Sequence, residues 1–334
     1  MASARRPITR EIVDGSPIYR LRGRRITRVR EIERLNALAI PPAWVDVEIA
    51  RSPSAKVLAR GLDAAGRVQA IYHPAFRRKQ DRAKFTRLIR FADQLPALRA
   101  QVDRDLRKRS LSRERVVACI LRIIDEEYFR VGNAAYARRH RSYGATTLRT
   151  SHATATSTSV TFDFVGKGGK RHTRTIRDRR VATLIARLEE LPGAELFRFL
   201  DQEEPGGEPI VRNVDSRHVN AYVKRVMGEE FTAKDFRTWG GTMLATSRLL
   251  EVDPVEFETP TSTARAVRGV VAAVAERLGN TPAVTRSSYI DPRVLAAAED
   301  PALLARLRRS RARLRDRRHW SADEQCTVRL LRGT

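Results

Sequence analysis

A reaction that breaks a phosphodiester without a bound metal needs a hydroxyl nucleophile, cations for the transition state and an acid for the leaving oxygen. Arginine suits the second task because its planar guanidinium matches two phosphate oxygens and keeps its charge, and lysine suits the third. The sequence offers candidates of these types, and an amide donor, at Tyr289 in RSSYIDP, Arg130 in EEYFRVGN, Lys167 in GKGGK, Arg237 in KDFRTWGG and Asn280 in RLGNTP.

Each candidate also has an ordinary structural interpretation. Tyr289 could be a packing aromatic, and Arg130 a cation at the end of a helix. Lys167 could be a solvated turn residue, and Arg237 could stack on the tryptophan two positions later. Asn280 follows a glycine and precedes Thr-Pro, which is typical of the end of a helix. Taken singly, none of the five defines a function.

The charge of the chain indicates the kind of partner. Its 65 Lys and Arg against 39 Asp and Glu give a net charge of +26 and a pI near 11.3. Such an excess favours binding to a polyanion, because counterions are released for each phosphate that is neutralised. We therefore expect a nucleic acid as partner, with a ribosomal or membrane-surface protein as the alternative.

Several common motifs are missing from the sequence. It has no GxxxxGK[ST] phosphate loop, and GKGGK lacks that spacing. The six histidines show no HExxH-like spacing, and no cluster of aspartates suggests a two-metal nuclease. The two cysteines, Cys119 and Cys326, lie far apart and predict neither a disulfide framework nor a zinc site. We expect no metal and no cofactor.

The hydrophobic pattern predicts an α+β fold. PIYRLR, VDVEIA, KVLARG and RVQAIY alternate like strands between residues 18 and 73, with REIERLNALA as a helix among them. Beyond residue 80 the period becomes helical, as in the two series Val117, Ile120, Leu121, Ile124, Tyr128 and Val267, Val270, Val271, Val274, Leu278. We predict a β-rich domain over 1–85 and a mainly helical domain over 86–334.

Three local features interrupt the helical part. Alternation from Val160 to Phe164, then GKGGK and RHTRTI, predicts a β-hairpin with Lys167 at its turn. The stretch DQEEPGGEPI at 201–210 predicts a surface loop between helices. Eight arginines between Arg306 and Arg318 predict a solvated helix face, or alternatively contact with a DNA backbone.

The N-terminus lacks the apolar core of a signal peptide, and no run approaches the length of a membrane span. We therefore expect a cytoplasmic, nucleoid-associated protein.

Together these stretches resemble the type IB DNA topoisomerases of the small poxvirus and bacterial branch. The matching segments are ITRVREIERLNALAIPPAWVDV, GRVQAIYHPAF, YFRVGNAAYARRHRSYGATTLR, FVGKGGKRH, KDFRTWGGT and RSSYIDPRV, in order from about residue 25 to 293. The resemblance implies a monomer that closes as a C-shaped clamp around double-stranded DNA. It also implies nicking, swivelling and religation of one strand without ATP or metal.

The resemblance implies a role for each candidate. Tyr289 would form a 3′-phosphotyrosine, Arg130 and Arg237 would hold non-bridging oxygens, and Lys167 would protonate the 5′-oxygen. Asn280 stands where many members carry histidine, and it can donate a hydrogen bond but cannot carry charge.

The resemblance also implies that the domain over 1–85 binds DNA and that the domain over 86–334 is catalytic. The family pattern is close to GRKQYxYHP, and this chain reads GRVQAIYHP from residue 66. We expect contacts from Arg67, Gln69 and Tyr72, with Val68 and Ala70 replacing a lysine and a tyrosine. Tyr136 is a candidate for a backbone contact or for the core.

Two rival classes remain. A tyrosine recombinase uses the same type of nucleophile but usually places a histidine three residues before the second arginine, as HxxR. In this chain Lys234 occupies the position of that histidine. A non-enzymatic nucleoid protein would keep the DNA contacts without the chemistry.

Overall fold

The computed structural model describes residues 6–64, 66–202 and 207–333. The chain divides into two compact units, Met1–Thr86 and Arg87–Thr334. In the described part, no helix is both long enough and apolar enough to cross a membrane.

The first unit is built on a six-stranded antiparallel sheet. Its strands are β1 (Ile8–Val13), β2 (Ser16–Leu21), β3 (Arg24–Arg25), β4 (Val45–Ile49), β5 (Val57–Leu62) and β6 (Val68–Tyr72), and α1 (Val29–Asn36) follows β3. The order across the sheet is β3-β2-β1-β4-β5-β6. The four predicted strands are β2, β4, β5 and β6, so the predicted sheet is confirmed; β1 and the two-residue β3 were not predicted.

One layer of side chains joins this sheet to α1. Alternate residues of the strands face the same side, and the buried ones pack with the helix. The buried cluster consists of Ile8, Tyr19, Leu35, Ile40, Val47, Ile49 and Ala59. The Tyr19 hydroxyl donates a 2.9 Å hydrogen bond to Oδ1 of Asn36, which satisfies its polar end.

The second unit is mainly helical, as predicted. Its helices are α2 (Pro74–Leu106), which begins before the unit boundary, α3 (Arg113–Glu127), α4 (Ala134–His140), α5 (Arg179–Glu189), α6 (Ser216–Met227), α7 (Ala233–Glu251), α8 (Pro260–Leu278), α9 (Pro282–Ser288), α10 (Pro292–Ala296), α11 (Pro301–Arg313) and α12 (Ala322–Arg332). Two small antiparallel sheets accompany them, formed by β7 (Ala153–Ala155), β8 (Val160–Val165) and β9 (Arg171–Ile176), and by β10 (Arg198–Asp201) and β11 (Ile210–Asn213).

Both predicted apolar series lie on helices with buried faces, α3 and α8. The first series differs at its last member, because α3 ends at Glu127 and Tyr128 adopts a left-handed conformation with φ 55°. The chain therefore turns sharply just before Arg130, which places that arginine outside the helix.

The predicted hairpin is β8–β9, with Val165 paired to Arg171 next to the turn. The turn itself is Lys167–Gly169, where Gly168 and Gly169 have φ of 77° and 73°. Glycine adopts such angles without the steric cost that a Cβ brings, so the GKGGK sequence permits this tight connection. The hairpin carries the two lysines of GKGGK beside the helical core.

The other two local predictions have different outcomes. The loop predicted at 201–210 connects two strands, β10 and β11, which include its end residues, so its predicted place between helices is wrong; its residues 203–206 fall outside the described part. The arginine-rich run is α11 and the segment after it. Arg308 bonds to the carbonyls of Leu250 and Val252, and Arg311 pairs with Asp323, so the run is only partly a solvated face.

Candidate active site

Helix α7 holds Arg237 in the interior of the second unit. The helix begins after Thr232, whose amide donates a 2.9 Å hydrogen bond to Oδ2 of Asp235. Arg237 is only 3% exposed, and its Nη2 donates to the carbonyl of Leu278 at 2.8 Å while Nη1 donates to that of Tyr128. These carbonyls lie at the C-terminal ends of α8 and α3, where the helix dipoles favour a cation.

The end of α3 fits closely against α7. A Cβ on Gly240 would lie 2.2 Å from Cε1 of Tyr128, so glycine is needed for this ring to pack there. Two residues beyond, the half-buried Arg130 turns back toward α8. Its Nη2 donates a 2.5 Å hydrogen bond to Oδ1 of Asn280. The approach of α3 to α7 thus brings both arginines to one place.

Asn280 lies in the predicted helix stop. Helix α8 ends with Gly279 in a left-handed conformation, φ 63°, and the Asn280 amide then bonds to the carbonyl of Ala275 at 2.8 Å. The side chain is 8% exposed. Its Oδ1 accepts from Arg130, while Nδ2 is buried without a hydrogen-bond partner among the described residues. A buried unpaired donor is costly unless a ligand satisfies it.

Tyr289 follows α9 directly, and its amide bonds to the carbonyl of Thr285 at 3.0 Å. Its own carbonyl accepts from Oγ1 of Thr242 at 3.3 Å. The guanidinium carbon of Arg237 lies 5.0 Å from the centre of the half-buried phenol ring. A cation over an aromatic face in this range is attractive.

The cations around Tyr289 change its acidity. Burial raises the pKa of the phenol, but the charge and hydrogen bond of Arg237 and the charges of Arg130 and Lys234 outweigh that effect, so its pKa lies below the ordinary value. For Arg237, burial and the repulsion of Arg130 lower the pKa to about 10. An anion bound near both arginines would relieve this repulsion.

The structure brings together four of the five predicted residues, Arg130, Arg237, Asn280 and Tyr289. Lys167 is exposed in the hairpin turn and makes no hydrogen bond or ion pair with the other described residues. Lys170, at the other end of the same turn, is the hairpin lysine that reaches the site. Its Nζ donates to the carbonyl of Asn280 at 3.0 Å.

Three residues near the site were not predicted from the sequence as site residues: Lys170, His172 and Lys234. His172 is buried, and burial together with nearby cations, Arg130 first among them, lowers its pKa to about 4. Lys234 precedes Arg237 by one helical turn, and that i, i+3 spacing is a signal the sequence already contained. No local pattern marks the other two residues, since their contacts lie far away in the chain.

The predicted DNA-contacting segment lies on β6, at the edge of the sheet in the first unit. Arg67 and Gln69 both bond to Asp63, the latter from Nε2 at 2.8 Å. Val68 and Tyr72 are exposed, 74% and 41%, and alternation along the strand gives them a different face from Gln69. The predicted contacts at Gln69 and Tyr72 therefore lie on opposite faces of one strand.

Tyr136 lies on α4 in the second unit and is half-buried, with its ring 5.6 Å from that of His140. Its backbone amide bonds to Oδ1 of Asn133, which begins the helix. Among the described residues, no group of three or more His, Cys, Asp and Glu is arranged to hold a metal ion.

Comparisons with known proteins identify the family of this chain. A family model described as the catalytic core of eukaryotic DNA topoisomerase I matches residues 73–309, and one described as the N-terminal domain of bacterial DNA topoisomerase IB matches residues 19–63. The DNA topoisomerase 1B of Acanthamoeba polyphaga mimivirus is 35% identical over 264 residues, which cover 78% of each chain.

A solved structure gives a more distant match. The XerH site-specific recombinase, bound to its difH substrate in a pre-cleavage complex, is 16% identical with a TM-score of 0.36. The match covers 62% of this chain and about half, 52%, of the recombinase.

The matched core and the curated relative define this chain as a DNA topoisomerase, an enzyme that acts on DNA. It belongs to the type IB DNA topoisomerases, in the small bacterial and viral branch. The predicted family and activity are thus confirmed, and both rival classes are disfavoured.

Proposed function

We propose that this topoisomerase cleaves one strand of double-stranded DNA with Tyr289 and relaxes supercoils by swivelling and religation. The observation that carries the proposal is the arrangement around the phenol, where Arg237 lies over the ring and Arg130 bonds to Asn280. These groups supply the cations and the amide donor that a pentacovalent phosphate needs.

In the cleavage step, Oη of Tyr289 forms a bond to phosphorus while the bond from phosphorus to the 5′-oxygen breaks. The phenol loses its proton to solvent, and Lys167 donates a proton to the departing 5′-oxygen. The lowered pKa of Tyr289 favours the attacking phenolate. The products are a 3′-phosphotyrosine ester and a free 5′-hydroxyl.

Religation is the reverse of these bond changes. The 5′-hydroxyl attacks phosphorus, the phenolate leaves, and Lys167 recovers the proton. A phenol with an ordinary pKa near 10 leaves more readily than an alkoxide, and the surrounding cations improve it further. Because the ester stores the energy of the broken bond, the cycle needs no ATP.

Two unpaired donors of the site can contact the phosphate in the transition state. The Nδ2 of Asn280 and the Nε of Arg237 are buried and unpaired among the described residues, so both are available to phosphate oxygens. Since Oδ1 of Asn280 is held by Arg130, the amide presents its donor rather than its acceptor. This supports a function for asparagine where many relatives have histidine.

We propose that the enzyme binds nucleoid DNA in the cytoplasm as a monomer. The first unit acts as a DNA-binding domain and contributes contacts from β6, with Tyr72 on the exposed face and Arg67 and Gln69 available after exchange with Asp63. The second unit contributes the active site and a backbone contact from Tyr136. The predicted clamp stays a prediction.

The first test is relaxation of supercoiled plasmid by the purified protein in EDTA without ATP, over a range of salt concentrations. We expect a ladder of relaxed topoisomers. DNA binding without relaxation at any salt concentration would instead support a non-enzymatic protein.

The second test uses Tyr289→Phe, which removes one oxygen and little packing. We expect normal DNA binding and no covalent adduct on denaturing gels. Tyr143→Phe is the matched control, because it removes the same oxygen from a half-buried tyrosine of the second unit outside the constellation. An adduct with Tyr289→Phe would place the nucleophile on another residue.

A further inference from the structure

The β8–β9 hairpin ends in a lysine whose ammonium lies on the Asn280 turn. Nζ of Lys170 donates a 3.0 Å hydrogen bond to the carbonyl of Asn280. This carbonyl follows the end of α8, where the helix dipole is negative and favours a cation. Lys167, three residues earlier, is exposed in the same turn. The two lysines of GKGGK therefore have different surroundings.

A buried ring joins the hairpin and this turn more firmly. His172 stacks on Phe164 with 5.2 Å between ring centres. A Cβ on Gly279 would lie 2.5 Å from its Cε1, and a Cβ on Gly166 would lie 2.7 Å from its Nε2. The His172 ring therefore packs between the hairpin and the end of α8, and glycines on both sides leave room for it. This packing fixes the hairpin against the end of α8.

All but one of the polar groups of Asn280 are held in place. Its amide bonds to Ala275, its carbonyl accepts from Lys170 and its Oδ1 accepts from Arg130. Only Nδ2 has no partner among the described residues, although it is buried. Three hydrogen bonds fix the position of Asn280, so its unpaired NH2 group is held ready to donate to an acceptor atom of a ligand.

We infer that Lys170 is a positioning residue for DNA cleavage. It holds the backbone of Asn280 so that the side-chain NH2 is offered to the scissile phosphate, and it couples that amide to the hairpin carrying Lys167. The inference rests on the proposed function of Asn280 as a phosphate contact. Lys170 itself acts through Asn280 and transfers no proton.

The test compares Lys170→Met, which keeps the aliphatic stem, with Lys170→Arg, which keeps a donor and a charge. The readout is the single-turnover cleavage rate on a duplex with a mapped cleavage site, at saturating enzyme. We expect Lys170→Met to cleave about tenfold to a hundredfold more slowly, since small misplacements carry such costs. Lys170→Arg should recover most of the rate.

Lys224→Met is the matched control, because it removes one exposed lysine charge of the same unit, paired with Glu229 on the surface. It should cleave at the wild-type rate. Thermal unfolding of each variant verifies the fold. A Lys170→Met rate equal to that of Lys224→Met would overturn the inference.

A double-mutant cycle tests whether Lys170 acts through Asn280. In an Asn280→Ala background, Lys170→Met should reduce the rate less than about twofold further, because the amide it positions is gone. Losses that multiply independently would overturn the inference. Inactivity of the wild-type enzyme would instead contradict the proposed function, so the two failures are distinguishable.

A substrate with a 5′-bridging sulfur separates positioning from proton donation, because a thiolate leaves without an acid. Lys167→Ala should be largely rescued on this substrate, whereas Lys170→Met should stay slow. If the sulfur rescues Lys170→Met, then Lys170 is the acid and the positioning role is wrong. If the sulfur substrate fails to rescue Lys167→Ala, Lys167 is not the acid and the proposed function is wrong on that point. The positioning role of Lys170 is then still tested by the double-mutant cycle.

Discussion

Nη2 of Arg130 donates a 2.5 Å hydrogen bond to Oδ1 of Asn280 across 150 positions of sequence. The bond uses the acceptor of the amide and leaves its donor, Nδ2, buried and unpaired among the described residues. It therefore decides which end of the amide faces a substrate. An asparagine in this orientation can replace the donor function of a histidine without a charge.

This relationship predicts an order of activities for Asn280 variants. Asn280→Ala should slow single-turnover cleavage about a hundredfold to a thousandfold, the usual cost of one lost transition-state donor. Asn280→Asp should be slower still, because it keeps the bond to Arg130 but has no donor and brings a negative charge to the phosphate. Asn280→His should exceed Asn280→Ala, because it restores a donor. An Asn280→Asp variant as fast as wild type would show that Nδ2 is not needed.

Sequence patterns predicted the helices and strands well where the hydrophobic residues alternated clearly or followed a clear helical period. Strand β1 was missed because its residues are mostly exposed, so ITREIV carries little apolar alternation. Arg130, Arg237 and Tyr289 were selected by residue type, but their proximity depends on how α3 packs against α7 through Gly240.

The contacts at Asn280 could not be predicted from the sequence. Lys170 bonds to it from 110 positions away, and nothing in GKGGK distinguishes one lysine from the other. Such contacts depend on side-chain packing between distant elements, which a local pattern does not encode.

Lys234 is expected to contribute to the pH dependence of cleavage, after the larger effects of Arg237 and Arg130 on the pKa of Tyr289. A cation stabilises the phenolate, so Lys234 contributes to lowering the pKa of Tyr289. Lys234→Met should raise that pKa toward the ordinary value of about 10, which moves the rise of the pH–rate profile to higher pH and slows cleavage at neutral pH. Profiles should be measured on the 5′-bridging sulfur substrate, where protonation of the leaving group does not contribute. Lys234→Arg is the control, and a profile shared by all three proteins would contradict the prediction.

Gly241 controls how closely Tyr289 approaches α7. A Cβ at this position would lie 2.5 Å from the carbonyl oxygen of Tyr289 and 3.1 Å from its Cβ. Gly241→Ala must therefore displace the tyrosine backbone, and we expect cleavage to slow at least about tenfold with DNA binding retained.

Gly269→Ala provides the matched control for Gly241→Ala. Gly269 lies within α8, and a Cβ there would meet no neighbouring atom within 4 Å among the described residues. The substitution should therefore stabilise the helix by about 0.5–1 kcal/mol and leave cleavage unchanged. Cleavage rates and urea unfolding of both variants check this pair. Equal activity of the two variants would mean that the Tyr289 backbone tolerates the displacement.

Arg99 supports α7 from behind the site. Its guanidinium bonds to Asp125 at 2.6 Å and 2.9 Å and to Glu324 at 2.8 Å and 2.9 Å, and Glu324 accepts from Nε1 of Trp239 at 3.2 Å. Arg99→Met would leave the carboxylates of the buried Glu324 and the half-buried Asp125 without their cation. We expect it to lower the free energy of unfolding at pH 7 by about 3–5 kcal/mol, measured by urea denaturation.

The pKa of Glu324 predicts how this loss in the free energy of unfolding depends on pH. Burial raises the pKa of Glu324, and the hydrogen bonds and charge of Arg99 outweigh it, so the folded-state pKa lies below the ordinary value near 4.3. A lowered carboxylate pKa stabilises the fold above the unfolded-state pKa, and this stability is lost as pH falls through the folded-state pKa. In Arg99→Met burial acts on Glu324 without the opposing cation, so protonation relieves this carboxylate already above about pH 4.3. The difference in the free energy of unfolding between the two proteins should therefore shrink as pH falls from 7, and shrink further below about 4.3 as the wild type loses its own stabilisation. A difference that stays constant over this range would show that the loss comes from packing and not from charge.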